Sequence, residues 1–492
     1  MRSSLEMPRG WLKEYDLMEA MIVLAWREGV YTDELSFVLF SIGPAYRQGE
    51  LELGPDAVIA LEGLGTFQGV SIHDRISDAL SKGRDLSKIV AKVHRESTRR
   101  GHASLTTSAV IFWEVSNCSR LISMLLVAPV FGSYLQESQR RSPLTRERLL
   151  TPAELRSGRF EARYSEVMDR CFDAYRTLCE EGVPLEDARY LVPLAAATSL
   201  YAVLSLESHI YFIRKVEEGI GIVTKELRTF VDRFLDVARG RAPLLLDSRL
   251  SFKARWGYYS VTDPLREPDG LIQRLCGDRP TEEAELLSFD YPKGVEGAGL
   301  DGLAAEQASP LVRAVTVESL SLAAYHQAIR HRTVPTVVES LVEAAERWSK
   351  SPGAGLIVPP SIKSNPRLLQ IFTDACEELY TLYSTLMQED EVVAALYTLP
   401  NAMRIRVVRS YNLYNLLSPM GFLATRTCSA AQWEERAIAY KLWREVEKAA
   451  PWLKNAMGEK CKHLGYCPER AWCPIILKYW EYSDELHRKY NQ

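Results

Sequence analysis

The chain has 492 residues, 47% apolar and 10% aromatic, with 60 Lys and Arg against 64 Asp and Glu for a formal net charge of −4. That apolar share can bury a large core and excludes a disordered chain, and the length calls for two to four domains. A charge so near zero, with no long run of one sign, removes duplex nucleic acid and an anionic membrane as default partners and leaves small molecules.

The first sixty residues carry the helical stretch DLMEAMIVLAW (16–26), read as packing surface. No apolar signal segment leads the chain, and nine cysteines, an odd number spread along it, fit free thiols in a reducing cytoplasm. Gly63, Gly65 and Gly69 lack the spacing of a dinucleotide fingerprint and read as a turn. SAVIFWEVS (108–116) is strand-like, and NCSRLISMLLVAPVFGSYLQESQRR (117–141) reads as a helix running into a polar loop. YLVPLAAATSLYAVLSL (190–206) falls just short of a bilayer span and predicts a buried core helix, part of a helical stretch reaching about 215. Residues 251–302, rich in Gly, Pro and Asp, read as a linker with a boundary near 270.

Beyond the linker the same theme recurs about 202 residues later. LVRAVTVES (311–319) is again β-branched and apolar, LSLAAYHQAIRHRTVPTVVESLVEA (320–344) is again helical, and a second helical stretch is expected over about 402–426. No P-loop, H-E-x-x-H, G-x-S-x-G or paired CxxC is present. CKHLGYCPERAWC (461–473) gathers three thiols and His463 at a spacing unusual for zinc, so it reads as a packed loop and no metal is expected.

The chemistry lies in two clusters. GSYLQESQRR (132–141) sets Ser133, Gln136, Ser138, Gln139 and Arg140 on a turn, a hydroxyl and guanidinium set suited to phosphate. AIRHRT (328–333) sets Arg330, His331 and Arg332 where a helix stops, which by itself would only complement the helix dipole for less than about 1 kcal/mol. Taken in order, Gly101, His102 and Ser104, then Ser119 and Arg120, the Ser133–Arg140 loop, and Glu186, Asp187, Ala188, Arg189 and Pro193 resemble the flavin-dependent thymidylate synthase family. The second half resembles the same family through HQAIRHR (326–332) and NLLSPMGFLATRTCSAAQWEERA (415–437).

That resemblance implies a fold and a set of roles. The fold is α+β, two tandem domains (1–270 and 271–492), each an antiparallel sheet flanked by long helices. Arg330, His331 and Arg332, with Asn415, would hold FAD; His102 and Ser104 would reach the flavin from a neighbouring subunit. Ser138, Gln139, Arg140 and Arg189 would bind the phosphate of dUMP, Gln136 and Gln327 the nucleotide, and Arg426 would contact and activate the pyrimidine. The reaction implied is reductive methylation of dUMP to dTMP, with methylenetetrahydrofolate and NADPH as co-substrates, in a homodimer that reproduces the family's tetramer.

Each half departs from the pattern where the other keeps it. The R-H-R positions of the first half read Ala128, Pro129 and Val130, and its Asn and activating Arg read Ser205 and Val216. In the second half the phosphate loop reads Pro335, Ser340 and Val342, and no E-D-A-R precedes Pro400. Simple decay would make the losses overlap; complementary loss predicts one composite site drawn from both halves. The family's E-H after G-H-x-S is Thr107 and Ser108 here. That departure keeps open a non-catalytic flavin- or nucleotide-binding homologue, or a flavin-dependent methyltransferase acting on another pyrimidine.

Overall fold

The computed structural model describes residues 35–252, 257, 259–277, 284–297, 302–467 and 473–479; the DLMEAMIVLAW stretch lies outside them. Two four-stranded antiparallel sheets share one strand order. The first contains β1 (Ser36–Gly43), β4 (Val110–Ser119), β5 (Gly132–Gln136) and β6 (Ala197–Ser205), with a small hairpin of β2 (Tyr46–Gln48) and β3 (Leu51–Leu53) apart from it. The second contains β7 (Ala284–Asp290), β8 (Arg313–Ser321), β9 (Thr336–Val338) and β10 (Arg404–Asn412). Their orders, β1-β4-β6-β5 and β7-β8-β10-β9, are the same topology written twice. The α+β fold with two antiparallel sheets is as expected.

Three expectations are corrected. The apolar run 190–206 is a turn leading into β6, not a core helix. Thr198, Leu200, Ala202 and Leu204 point inward while Tyr201 and Val203 point out, and apolar residues on both faces hide the period-two pattern. The stretch 402–426 is likewise β10 followed by two short helices, Leu413–Leu416 and Phe422–Arg426. Inside the expected linker lie helix Leu271–Cys276 and β7, one edge strand of the second sheet. The short edge strands β5 and β9 are too brief to show periodicity within the polar loops that hold them.

The two sheets meet through reciprocal backbone bonds. Leu194 N–H donates to Leu399 O (2.9 Å) and Asn401 N–H to Val192 O (2.9 Å); Ala195 N–H donates to Tyr397 O (2.9 Å) and Ala402 N–H to Tyr190 O (2.7 Å). Exchanging the halves by a shift of 207 residues carries each bond of a pair onto the other, so a local twofold relates the halves. Helices Glu161–Glu180 and Pro366–Gln388 pack beside that axis, with Arg170 Nε 2.6 Å from Glu378. One apolar core holds Leu121, Tyr164, Leu191 and Leu194 together with Leu322, Phe372, Leu396 and Leu399. The halves therefore share this core, and each also has one of its own, around Trp113, Phe212 and Phe230 in the first and Tyr411, Leu442 and Val446 in the second.

Each central helix starts the same way. Ser119 caps Arg120–Leu126 and Ser321 caps Leu322–Ala328, their hydroxyls accepting from Ile122 and Ala324 N–H. A carboxylate grips each cap: Glu226 accepts from the Ser119 N–H and Oγ–H (2.6 Å each) and Glu434 from those of Ser321 (2.5 and 2.7 Å). A tyrosine of the opposite half donates to each carboxylate, Tyr397 to Glu226 (2.9 Å) and Tyr190 to Glu434 (2.7 Å).

Candidate active site

Leaving β5, the chain turns at Ser138, whose carbonyl accepts from Arg141 and Ser142 N–H (3.0 Å each) and whose hydroxyl accepts from Arg140 N–H (3.3 Å). The turn projects Arg140 toward Glu186 (Nε to Oε1 3.1 Å) and across to the Ala430 carbonyl of the other half (3.3 Å). Arg189 follows helix Leu185–Ala188 and bonds the Glu186 carbonyl through Nε (3.1 Å), while its buried Nη2 has no partner. Arg120, the first residue of its helix, donates to the Glu137 carbonyl (2.9 Å) and leaves Nε buried without one. Gln136 Nε2 donates to Ser123 (3.1 Å), and its Oε1 is unpartnered.

From the second half, helix Leu322–Ala328 carries Gln327 and gives way to the Arg330–Arg332 turn, held by the His331 N–H to Ala328 O bond (2.9 Å). Buried and unpartnered here are Gln327 Oε1, Arg330 Nε and Arg426 Nε. Asn415 is fully buried, forms a reciprocal cap with Asn412, and donates to Thr333 (3.0 Å), tying the triplet's turn to helix Leu413–Leu416. Arg426 ends helix Phe422–Arg426 with its guanidinium 5.4 Å from the Phe422 ring, and the His331 ring meets the same phenyl edge-on at 5.2 Å. Gly421 makes that helix start possible: a Cβ there would lie 2.3 Å from both the Leu417 and Tyr414 carbonyls.

The halves converge. Asn401 Nδ2 donates to Gln139 Oε1 (3.2 Å) and to Arg189 O (3.0 Å), Trp433 Nε1 to Asp187 (3.0 Å), and Arg332 stands 5.8 Å from the Tyr134 ring centroid. His326 bonds the Arg120 carbonyl (3.0 Å). All these contacts lie within one chain. His102 and Ser104 are not brought in: they stand exposed on and beside helix Ala103–Thr107, and among the described residues no hydrogen bond or ring contact links them to the cluster.

Charge in the cleft is lopsided. Burial, with the neighbouring Arg189 and Arg330, lowers the proton affinity of Arg120 to about 9. Burial is also the main cause for Arg330, followed by Arg426 and Arg189, and for Arg426, against which Arg409 and Arg140 also push. Burial and the surrounding arginines hold His331 down to about 3, so the triplet is two cations around a neutral imidazole. Buried guanidiniums repelling one another with unsatisfied N–H groups form a site for a polyanion, and planar Arg forks suit a phosphate.

Sequence reading missed Arg120, Asn401, Tyr190 and His326 as members or supports of this cluster. Arg120 was visible in the S-R pair. Asn401 had no signal, since its importance comes from the local twofold that carries it to Gln139.

The family described as thymidylate synthase complementing protein, Thy1, matches residues 65–244 and 311–452. A flavin-dependent thymidylate synthase of Pyrococcus abyssi is 32% identical over 172 residues, 32% of this chain and 66% of that protein. One from Sulfurisphaera tokodaii is 36% identical over 149 residues, 30% of this chain and 54% of that protein. The chain thus spans somewhat under two thirds of these relatives' length. Among solved structures, a UMP/dUMP methylase PolB from Streptomyces cacaoi bound with 5-Br dUMP is similar over 46% of this chain and 97% of its own, with 16% identity and a TM-score of 0.31. Matched over more than half its length, once in each half, the chain belongs to the thymidylate synthase complementing protein family.

Proposed function

We propose that the cleft between the two halves binds dUMP and FAD and carries the reductive methylation of dUMP to dTMP, with methylenetetrahydrofolate as carbon donor and NADPH as reductant. The observation that supports it most is the set of buried nitrogens without partners, Arg120 Nε and Arg189 Nη2 from one half and Arg330 Nε and Arg426 Nε from the other. A phosphate dianion and a flavin pyrophosphate satisfy such donors, so the residues present fit both groups. When bound, FAD supplies the hydride chemistry.

This chain's side chains bind and orient. Ser138, Gln139, Arg140 and Arg189 hold the nucleotide phosphate, with Gln136 and Gln327 on the nucleotide. Arg330, His331, Arg332 and Asn415 hold the flavin. Arg426 stabilises negative charge on the pyrimidine, an electrostatic role that strengthens as water is excluded. The fully buried Cys118, Cys171 and Cys376 thiols are pushed up by burial and are inert as nucleophiles. The repeats divide near residue 270, and two chains associate as a pseudo-tetramer. The exposure of His102 and Ser104 fits a role toward a partner's site. Nine cysteines with no disulfide between them suit a cytoplasmic setting.

The test is direct. Purified protein is expected to be yellow, to bleach with NADPH and to convert dUMP to dTMP. A bleaching protein that methylates UMP or a cytidine nucleotide in place of dUMP overturns the substrate; a yellow protein with no turnover on any of them overturns catalysis.

A further inference from the structure

The local twofold generates a second cleft. Its phosphate-loop side is residues 336–342, at the positions of 134–140, and its other side carries Ala128, Pro129 and Val130 in place of the arginine triplet. Residues 261–266 of the linker lie in it. Val261 pairs with Pro129, the counterpart of His331. Thr262 Oγ1 donates to Thr336 O (2.7 Å), Arg266 Nη2 to Val338 O (2.9 Å), Ser340 Oγ to Arg266 O (2.9 Å) and Leu341 N–H to Pro264 O (2.9 Å). These acceptors and donors stand where Tyr134, Gln136, Ser138 and Gln139 stand in the first cleft.

A carboxylate comes with the segment. Asp263, 5% exposed, accepts from Lys215 Nζ, Tyr211 OH and Leu265 N–H at 2.7 Å each. Lys215 Nζ also donates to the carbonyls of Ile220 (2.7 Å) and Leu265 (2.9 Å), so all three ammonium hydrogens are used. The Ile222 N–H bonds Leu265 O (2.8 Å), closing the opposite wall. Where the first cleft leaves guanidinium hydrogens unpaired, the twin has its cation neutralised from within. An incoming phosphate would meet the fixed negative charge of Asp263.

We infer that residues 261–266 are a permanent occupant of the twin cleft, with Asp263 as the anion paired to Lys215, so that each chain has one nucleotide site and not two. The linker that joins the repeats therefore also closes the cleft that lost its phosphate and flavin ligands. The inference rests on the nucleotide reading of the first cleft for its stoichiometry, but not for the closure itself.

Two measurements on the full chain separate these. Titration calorimetry with dUMP should give one site per chain, and Arg140→Ala should weaken it at least tenfold without uncovering another. Hydrogen exchange followed by mass spectrometry should show peptides containing Ile222 and Leu341 protected like the sheet strands. Two dUMP per chain, a residual site in Arg140→Ala, or exchange of both peptides at the rate of exposed loops overturns the inference. Slow exchange with no dUMP bound supports the closure and overturns the nucleotide reading.

Discussion

Arg330, half-buried, and Arg426, buried, repel each other across the cleft, yet the proposed function gives them different tasks. Arg330→Ala is expected to give a colourless protein whose thermal midpoint does not fall, since one uncompensated charge leaves the interior. Arg426→Ala should keep its flavin and lose turnover by roughly 100-fold or more, as removal of one preorganised charge donor does. Absorbance of the purified variants and dTMP formation distinguish the two, and exchanged phenotypes would reverse the assignment. His326 gives a pH prediction. Burial, aided by Arg120, holds its folded value down to about 3, below the ordinary 6.5, so its contribution is present above about 6.5 and lost as pH falls toward 3. In denaturant unfolding at pH 7, 6 and 5, the stability of the native chain relative to His326→Gln should drop by about 1.4 kcal/mol for each unit below 6.5.

Short elements aim the site's side chains. Helix Phe422–Arg426 is five residues long and cannot stand on propensity; its direction is set by Gly421, wedged against two carbonyls. Gly421→Ala should cost about 2 kcal/mol or more and move Arg426. Activity falling further than the thermal midpoint explains would be the sign of that displacement; unchanged activity would show that the helix start tolerates a side chain. Strands β4 and β8 and the helices after them were legible because β-branched runs end at capping serines. Strand β6 was not, because both its faces carry apolar residues and a periodicity of two disappears; β10 was not, because Arg406 and Arg409 lie buried in it, paired with Glu339 and Glu318. Gly421 gave no signal in the sequence beyond its identity, since only the returning Leu417 and Tyr414 carbonyls make it obligatory.

At the scale of the molecule, the shared core makes the repeats interdependent. Leu399 is fully buried at the twofold and belongs to the common core. Leu399→Ala is expected to destabilise the chain by about 2–5 kcal/mol, in one cooperative transition in denaturant melts. Two separate transitions, one shifted and one unmoved, would show that the halves fold independently. The order of motifs, their duplication and the complementary losses were all present in the sequence, because residue types and spacing are local facts. That sufficed to name many of the residues that converge in one cluster, but not Asn401 or His326. What the sequence could not determine is where the halves meet, because the twofold is built from backbone bonds that any residues could make. Only the tertiary structure brings Arg140 and Arg189 to Arg330 and Arg426 inside one chain, leaves His102 and Ser104 outside, and lays the linker in the twin cleft. Those outcomes depend on packing between segments about 200 residues apart, which no local pattern encodes.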